Sequence, residues 1–218
     1  MIVGVLFWIS NLTTLIGGAV TGAIPSGHDA LTTMYPHANS EVIGTLIAHI
    51  NDVAIIGYAV ALFPVLKRFS ESLALAYVAF KVAEGILLLV AASALLSLIA
   101  LSRSYVGQPA SGGPVFSAVA ETTLAQEFWA ARLATLAYLV ATPILNYVLY
   151  RTRLVPRWVS ILGFVGVAGL AIGLIVGVGD PTRGFQPGQL LVIPIILWEL
   201  VFATWLIVRG FADTARSS

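Results

Sequence analysis

The feature of this chain that most limits its fold is a series of six long apolar runs. A helix needs about 20 mostly apolar residues to cross the hydrocarbon core of a bilayer. Lipid offers the backbone no hydrogen bonds, so each run is expected to be α-helical. The runs are Ile2–Ala23, Val42–Leu66, Ser72–Leu101, Leu124–Tyr150, Arg157–Val178 and Gln189–Arg209. The sequence therefore predicts an all-α, six-transmembrane-helix bundle that forms a single domain over residues 1–218.

Composition supports a membrane protein and excludes several other classes. Only 10% of the 218 residues are charged and 59% are hydrophobic, whereas a soluble domain has about 25% charged residues. The net charge is only +1, so the sequence lacks the strongly basic character typical of a nucleic-acid-binding protein. The absence of cysteine excludes disulfides, thiol catalysis and thiolate metal sites. No basic segment precedes the first run, which favours a retained span over a cleaved signal peptide.

Basic residues are distributed unevenly among the connections, and this predicts the orientation. Those expected on one side are Lys67, Arg68, Arg151, Arg153, Arg157, Arg209 and Arg216. Arg103 and Arg183 fall on the other side, in the Gly-, Pro- and Ser-rich connections Ser102–Thr123 and Gly179–Gly188; the remaining connection on that side is Ile24–Glu41. Because basic loops stay in the cytoplasm, both termini are expected there, in a multi-pass protein of the cell inner membrane.

Small residues mark faces for helix packing. Five glycines follow one stripe of the fifth run, and Gly18 and Gly22 form a GxxxG pair in the first. Small residues let helix backbones approach closely in lipid. We expect them to pack helices within one chain, with a homo-oligomer through the same faces as the alternative. The five glycines are Gly163, Gly166, Gly169, Gly173 and Gly177.

Pro64, Pro143 and Pro194 are expected to kink their helices.

Ionisable residues occur well inside four of the runs, where they are costly and usually point at a partner. At 1.5 Å per residue, Asp52 and Glu199 lie about 15 Å deep, and Lys81 and Glu84 reach a similar level from the other side. The predicted polar site therefore groups residues from the second, third, fourth and sixth runs. Its members are His49, Asp52, Tyr77, Lys81, Glu84, Arg132, Asn146 and Glu199.

Helical spacing places these residues on shared faces. His49 and Asp52 are three residues apart, as are Lys81 and Glu84, and such pairs meet on a helix surface. On the fourth run a polar stripe is expected to face a cavity or the bundle interior. From depth alone, we expect Asp52 to pair with Lys81 and Glu199 with Arg132. The stripe comprises Glu121, Arg132, Thr135, Thr142 and Asn146.

Two interpretations of these charges remain open. Buried ion pairs can specify helix order without any further role. Alternatively, they surround a midplane pocket, and the excess of carboxyls over Lys81 and Arg132 favours a ligand or a protonated carboxyl. No metal site is expected, because His28, His37 and His49 lack the spacing of metal-binding motifs. No haem, nucleotide or other cofactor motif is present either.

Several short motifs resemble one known family. They are Tyr150-Arg-Thr-Arg-Leu-Val-Pro-Arg-Trp followed by Ile161-Leu-Gly, Leu197-Trp-Glu-Leu leading to Trp205-Leu-Ile-Val-Arg-Gly, and Phe80-Lys-Val-Ala-Glu. The pattern is similar to the bacterial membrane proteins described as domain of unknown function 4386, in which arginine is more usual than Lys81. The resemblance implies six helices and a bacterial membrane. It implies no activity, so no catalytic residue follows from it.

Three functions are compatible with the sequence. The first is binding or transport of a small or lipid-like molecule in the midplane pocket, with membrane lipid as the surrounding partner. The second is a membrane enzyme that uses a buried carboxyl for acid–base chemistry on a lipid-soluble substrate. The third is an accessory subunit without a pocket. A cavity open to water would favour transport, a cavity open to lipid would favour the enzyme, and a closed core would favour the accessory subunit.

Overall fold

The computed structural model describes residues 1–21, 30–107, 113–177 and 187–212. Every regular element within these ranges is helical, and six spans are long and apolar enough to cross a membrane. The predicted all-α fold with six spanning helices is confirmed. The helices are α1 Ile2–Thr21, α2 Ala30–Met34, α3 Ala38–Ala48, α4 Ile50–Lys67, α5 Glu71–Gly107, α6 Gly113–Thr152, α7 Arg157–Ile175 and α8 Ile193–Val208. Short 3-10 turns occupy Tyr35–His37 and Pro187–Val192.

The second span differs from the predicted continuous helix. It runs from Tyr35 to Lys67 and changes from α3 to α4 at His49. At this junction the Asp52 backbone N–H bonds the His49 carbonyl, three residues back instead of four. The span also begins earlier than predicted, because helical structure already starts at Ala30 within the expected Ile24–Glu41 loop. Pro64 lies inside α4, and the helix continues past it.

The third and fourth spans are longer than their apolar runs. Helix α5 continues to Gly107 and α6 starts at Gly113, so most of the predicted Ser102–Thr123 loop is helical. Residues Val115–Thr123 form the outer turns of α6, ahead of the apolar run. Pro194 lies in the first turn of α8, where proline is tolerated because no helical hydrogen bond is lost, rather than at an internal kink. Most of the Gly179–Gly188 connection lies outside the described residues.

The spans form a closed ring in chain order. Helix α1 packs against α3 and α4, α4 against α5, α5 against α6, α6 against α7, α7 against α8, and α8 back against α1. An aromatic cluster closes the ring: Phe7 of α1 stacks on Tyr58 of α4 with ring centroids 3.9 Å apart. Phe202 and Trp198 of α8 complete the cluster. The ring order places α4, α5 and α8 around the same interior as α1.

The basic residues that the sequence places on one side do lie at one end of the bundle, hereafter the basic end. The Ala212 N–H bonds the Leu154 carbonyl, which joins the end of α8 to the α6–α7 turn. Phe69, after α4, contacts Tyr147 near the end of α6. Arg103 is bonded to Asn39 at the opposite end, while Arg183 and Arg216 lie outside the described residues. The cytoplasmic location of the basic end stays a prediction.

Glycines allow close contacts between helices within the chain. A Cβ placed on Gly166 would lie 2.6 Å from the Ile195 Cα, and one on Gly169 would lie 2.3 Å from the Leu191 carbonyl oxygen. These distances show that α7 packs backbone to backbone against α8 at Gly166 and against the Pro187–Val192 turn at Gly169. On α1 the packing residue is Gly17, not Gly18 of the predicted GxxxG pair. Gly22 lies outside the described residues.

The Gly17 contact leads to a prediction of opposite sign for two adjacent residues. A Cβ on Gly17 would lie 2.5 Å from the Ala48 backbone nitrogen. A Cβ on Gly18 has no described heavy atom within 4 Å. Gly17→Ala is expected to lower the free energy of unfolding by about 1–3 kcal/mol, through overpacking against backbone that cannot yield.

The matched variant Gly18→Ala is expected to be neutral or to stabilise by up to about 1 kcal/mol through helix propensity. Thermal unfolding of both purified variants in one detergent measures the difference. Equal effects at the two positions would contradict the close crossing of α1 and α3 at Gly17.

Candidate functional site

The centre of the candidate site is Lys81 of α5, which is almost completely buried. Its Nζ lies 2.9 Å from Glu84 Oε2, one turn along the same helix, and the two side chains are only 3% and 6% exposed. The two groups form an ion pair, but their angles are not those of a hydrogen bond. Such a pair is stable in a dry core only when other groups help to solvate it.

Two tyrosine rings supply that help to Lys81. Its Nζ lies 4.2 Å from the centroid of the Tyr138 ring on α6 and 5.5 Å from that of Tyr58 on α4. A cation over an aromatic face is attracted by the ring quadrupole, most strongly where water is excluded. The lysine is thus held by a carboxylate from its own helix and by rings from two neighbouring helices.

The Tyr138 hydroxyl connects this group to the last helix. It donates a hydrogen bond of 2.8 Å to Glu199 Oε1 on α8. Glu199 is half-buried, whereas Glu84 is almost completely buried. Lys81, Glu84, Tyr138 and Glu199 therefore form one connected group, hereafter the central polar cluster.

A second group lies at the α3–α4 junction. His49 Nδ1 is 2.6 Å from Asp52 Oδ2, and the Asn51 amide donates to Asp52 Oδ1 over 3.2 Å. Ser10 of α1 donates to the Asn51 side-chain oxygen. Glu127 of α6 lies near His49. This junction cluster joins α1 to the break in the second span.

The predicted ion pairs are not the ones present. Lys81 pairs with Glu84 instead of Asp52, because their three-residue spacing already brings them together on one helix. Glu199 bonds Tyr138 instead of Arg132. Arg132 turns toward α7, where it bonds the Leu174 carbonyl at 3.4 Å, and it lies over the Phe128 ring. Arg132 thus lies on another face of α6 from the central polar cluster.

The two remaining predicted residues are buried but differ in their surroundings. Tyr77 is fully buried one turn before Lys81, and its hydroxyl has no hydrogen-bond partner among the described residues. Asn146 is also fully buried, but it faces α7, where a Cβ on Gly163 would overlap its side chain. Arg132 and Asn146 of the predicted α6 stripe therefore face helix α7, while Glu121 at its far end is exposed.

Sequence reasoning missed Tyr58, Tyr138, Glu127, Asn51 and Ser10. The Asn51 contact could have been anticipated from its position beside Asp52. Tyrosines within apolar runs give no signal of their own, because the same residue type serves as an anchor at the membrane surface. Only the ring order of the helices shows that the Tyr58 and Tyr138 rings enclose Lys81.

A cavity of about 480 Å³ reaches the central polar cluster from the side of the bundle. It lies between α1, α4, α5 and α8, with Glu84 and Glu199 among its lining residues. Its rim contains Leu12, Leu15 and Ile196, which are 44%, 71% and 47% exposed. An exposed apolar rim on the flank of a spanning helix is a surface suited to lipid. We call this space the lateral cavity.

The lateral cavity combines apolar walls with a few convergent polar groups, as small-molecule sites usually do. Asn11 and Asn51 add amide groups to the two carboxyls. Of the two carboxyls that line the cavity, Glu84 is paired with Lys81, so a hydrogen-bond donor or a cation entering the cavity would stabilise the Glu199 carboxylate. No group of three metal-ligating side chains occurs among the described residues; His28 lies outside them.

Comparison with known proteins supplies the family but no activity. No curated protein and no solved structure matches the chain significantly. One family model matches residues 2–210, which is nearly the whole chain. The chain belongs to the family described as Domain of unknown function (DUF4386).

Proposed function

We propose that the protein binds a small lipid-like molecule in the lateral cavity, as a carrier or receptor embedded in the bacterial inner membrane. The observation that supports this most is the position of Glu84 and Glu199 at a cavity whose rim is apolar and exposed. A molecule that enters from lipid would pass Leu12 and Leu15 with its apolar part. Its polar part would then reach the carboxyls of the central polar cluster.

The chemistry of the cluster defines the polar part of the ligand. Glu199 accepts a hydrogen bond from Tyr138 through one oxygen, and Glu84 is paired with Lys81. Two carboxyls therefore share one lysine, so hydroxyl or amine groups are favoured over phosphates or carboxylates on the ligand. A cavity of about 480 Å³ is within the range of small-molecule sites. The ligand class is an uncharged or cationic amphiphile.

A second candidate function is acid–base catalysis on a lipid-soluble substrate. The hydrogen bond from Tyr138 to Glu199 favours it, because a phenol and a carboxyl in a low-dielectric cavity can pass a proton to a substrate. A cavity open to lipid favours this enzyme by the criterion stated above; binding is proposed first because catalysis would also require the same molecule to bind there. Turnover of the bound molecule by purified protein would distinguish catalysis from binding alone. An accessory role without a pocket is the least supported, because it leaves the lateral cavity without a use.

Blocking the rim tests the proposal. Leu12→Trp is expected to fill the cavity entrance and to reduce the amount of copurifying amphiphile at least tenfold, measured by mass spectrometry of extracts from purified protein. Leu133→Trp on α6 is the matched control, because Leu133 is similarly exposed, at 49% compared with 44%, and lies away from the cavity. Equal retention by both variants and wild type would contradict binding in the lateral cavity.

A further inference from the structure

A second cleft lies at the basic end, far from the central polar cluster. It has a volume of about 600 Å³ and lies between the α6–α7 turn and the end of α8. The three arginines on its wall are Arg153, Arg157 and Arg209. None of them forms an ion pair with a described carboxylate; the only such pairs in the described chain involve His49, Lys67 and Lys81.

Arg153 directly follows the last residue of α6 and has the left-handed backbone conformation that commonly ends a helix. Its φ is +55°, the only positive value at a non-glycine residue in the described chain. Glycine would adopt this conformation without steric cost, whereas an arginine is strained there. The chain thus has an arginine where glycine is the usual residue, and this arginine lines the cleft.

The cleft lies where α6 ends, α7 begins and α8 ends. The Ala212 N–H bonds the Leu154 carbonyl across it, and the Trp205 ring lies 6.3 Å from the Trp158 ring in an edge-on contact. Trp158 is 52% exposed where α7 begins. Tryptophans at the ends of spanning helices mark the level of the lipid headgroups. Arginines at that level, between two helices, are suited to an anionic headgroup.

We infer that this cleft binds the phosphate of an anionic phospholipid, with Arg153 and Arg209 as its principal contacts. Arginine donates paired hydrogen bonds that match phosphate oxygens better than lysine does. The aromatic wall at Trp205 would lie beside the glycerol and upper acyl chain. The lipid differs from the ligand of the lateral cavity in charge and in place, so the two proposals fail independently.

Native mass spectrometry of the full chain in a non-ionic detergent tests the inference, with phosphatidylglycerol and phosphatidylcholine of equal chain length as probes. Wild type is expected to bind the first phosphatidylglycerol at least tenfold more tightly than phosphatidylcholine. Arg153→Gly is the informative variant, because glycine relieves the positive φ and leaves the fold intact. Combined with Arg209→Gln, it is expected to abolish the preference.

Arg151→Gln is the matched control, since Arg151 lies at the same end but outside the cleft, over the Tyr147 ring. It is expected to keep the preference for phosphatidylglycerol. Loss of the preference in Arg151→Gln would show diffuse attraction by the basic end and overturn the inference. Unchanged preference in the double variant would overturn it too. Displacement of the lipid by millimolar inorganic phosphate would assign the cleft to free phosphate instead.

Discussion

Lys81→Met is expected to lower the free energy of unfolding by about 3–5 kcal/mol, because it leaves a buried carboxylate without its cation. Glu84 is 4% exposed and has no other cation within ion-pair distance in the described chain. Methionine preserves most of the lysine volume, so packing against the Tyr58 and Tyr138 rings is largely retained. The loss should therefore reflect the unpaired charge more than a cavity.

A double-mutant cycle separates the two possible partners of Lys81. Combining Lys81→Met with Glu84→Gln removes both charges and is expected to recover much of the lost stability, with a coupling energy of about 1–3 kcal/mol. Combining Lys81→Met with Asp52→Asn should give a smaller coupling, because Asp52 is held by His49 and Asn51. Denaturant or thermal unfolding in detergent measures both cycles. A larger coupling to Asp52 than to Glu84 would contradict the structure of the central polar cluster.

The architecture could be predicted because a bilayer makes it nearly obligatory. Apolar runs of about 20 residues must be helical in lipid, and basic residues gather at one end. The lengths of α5 and α6 were underestimated because hydropathy falls beyond the apolar core while helical propensity does not. The junction at His49 was missed because no proline or glycine marks it. Lys81 and Glu84, three residues apart on α5, were correctly grouped because helical geometry determines their contact. His49 and Asp52 also meet, although His49 lies at the α3–α4 junction.

The relations between helices could not be predicted in the same way. Depth placed Asp52, Lys81, Arg132 and Glu199 at similar levels, but it carries no information about which face each helix turns inward. The rotation of α6 directs Tyr138 toward Lys81 and Arg132 toward Leu174. That rotation depends on close contacts such as Asn146 against Gly163, which appear only in three dimensions. The cytoplasmic termini, the single domain and the inner membrane location stay predictions.

Glu199→Gln is expected to reduce the retention of the copurifying amphiphile at least tenfold. Glutamine has nearly the same shape as glutamate and can still accept a hydrogen bond from Tyr138, so the fold should be preserved. The change removes only the charge that faces the lateral cavity. A hydrogen bond to a charged group contributes about 1.5–3 kcal/mol, which corresponds to a tenfold or larger change in affinity.

Glu121→Gln is the matched control, because Glu121 is exposed on α6 and lies outside the lateral cavity. The most direct test of the central claim is quantitative mass spectrometry of the molecules that copurify with wild type, Glu199→Gln and Glu121→Gln. We expect one amphiphile with hydroxyl or amine groups to be enriched in wild type and in Glu121→Gln and depleted in Glu199→Gln. The same molecules in the same amounts in all three proteins would contradict a ligand site at Glu199.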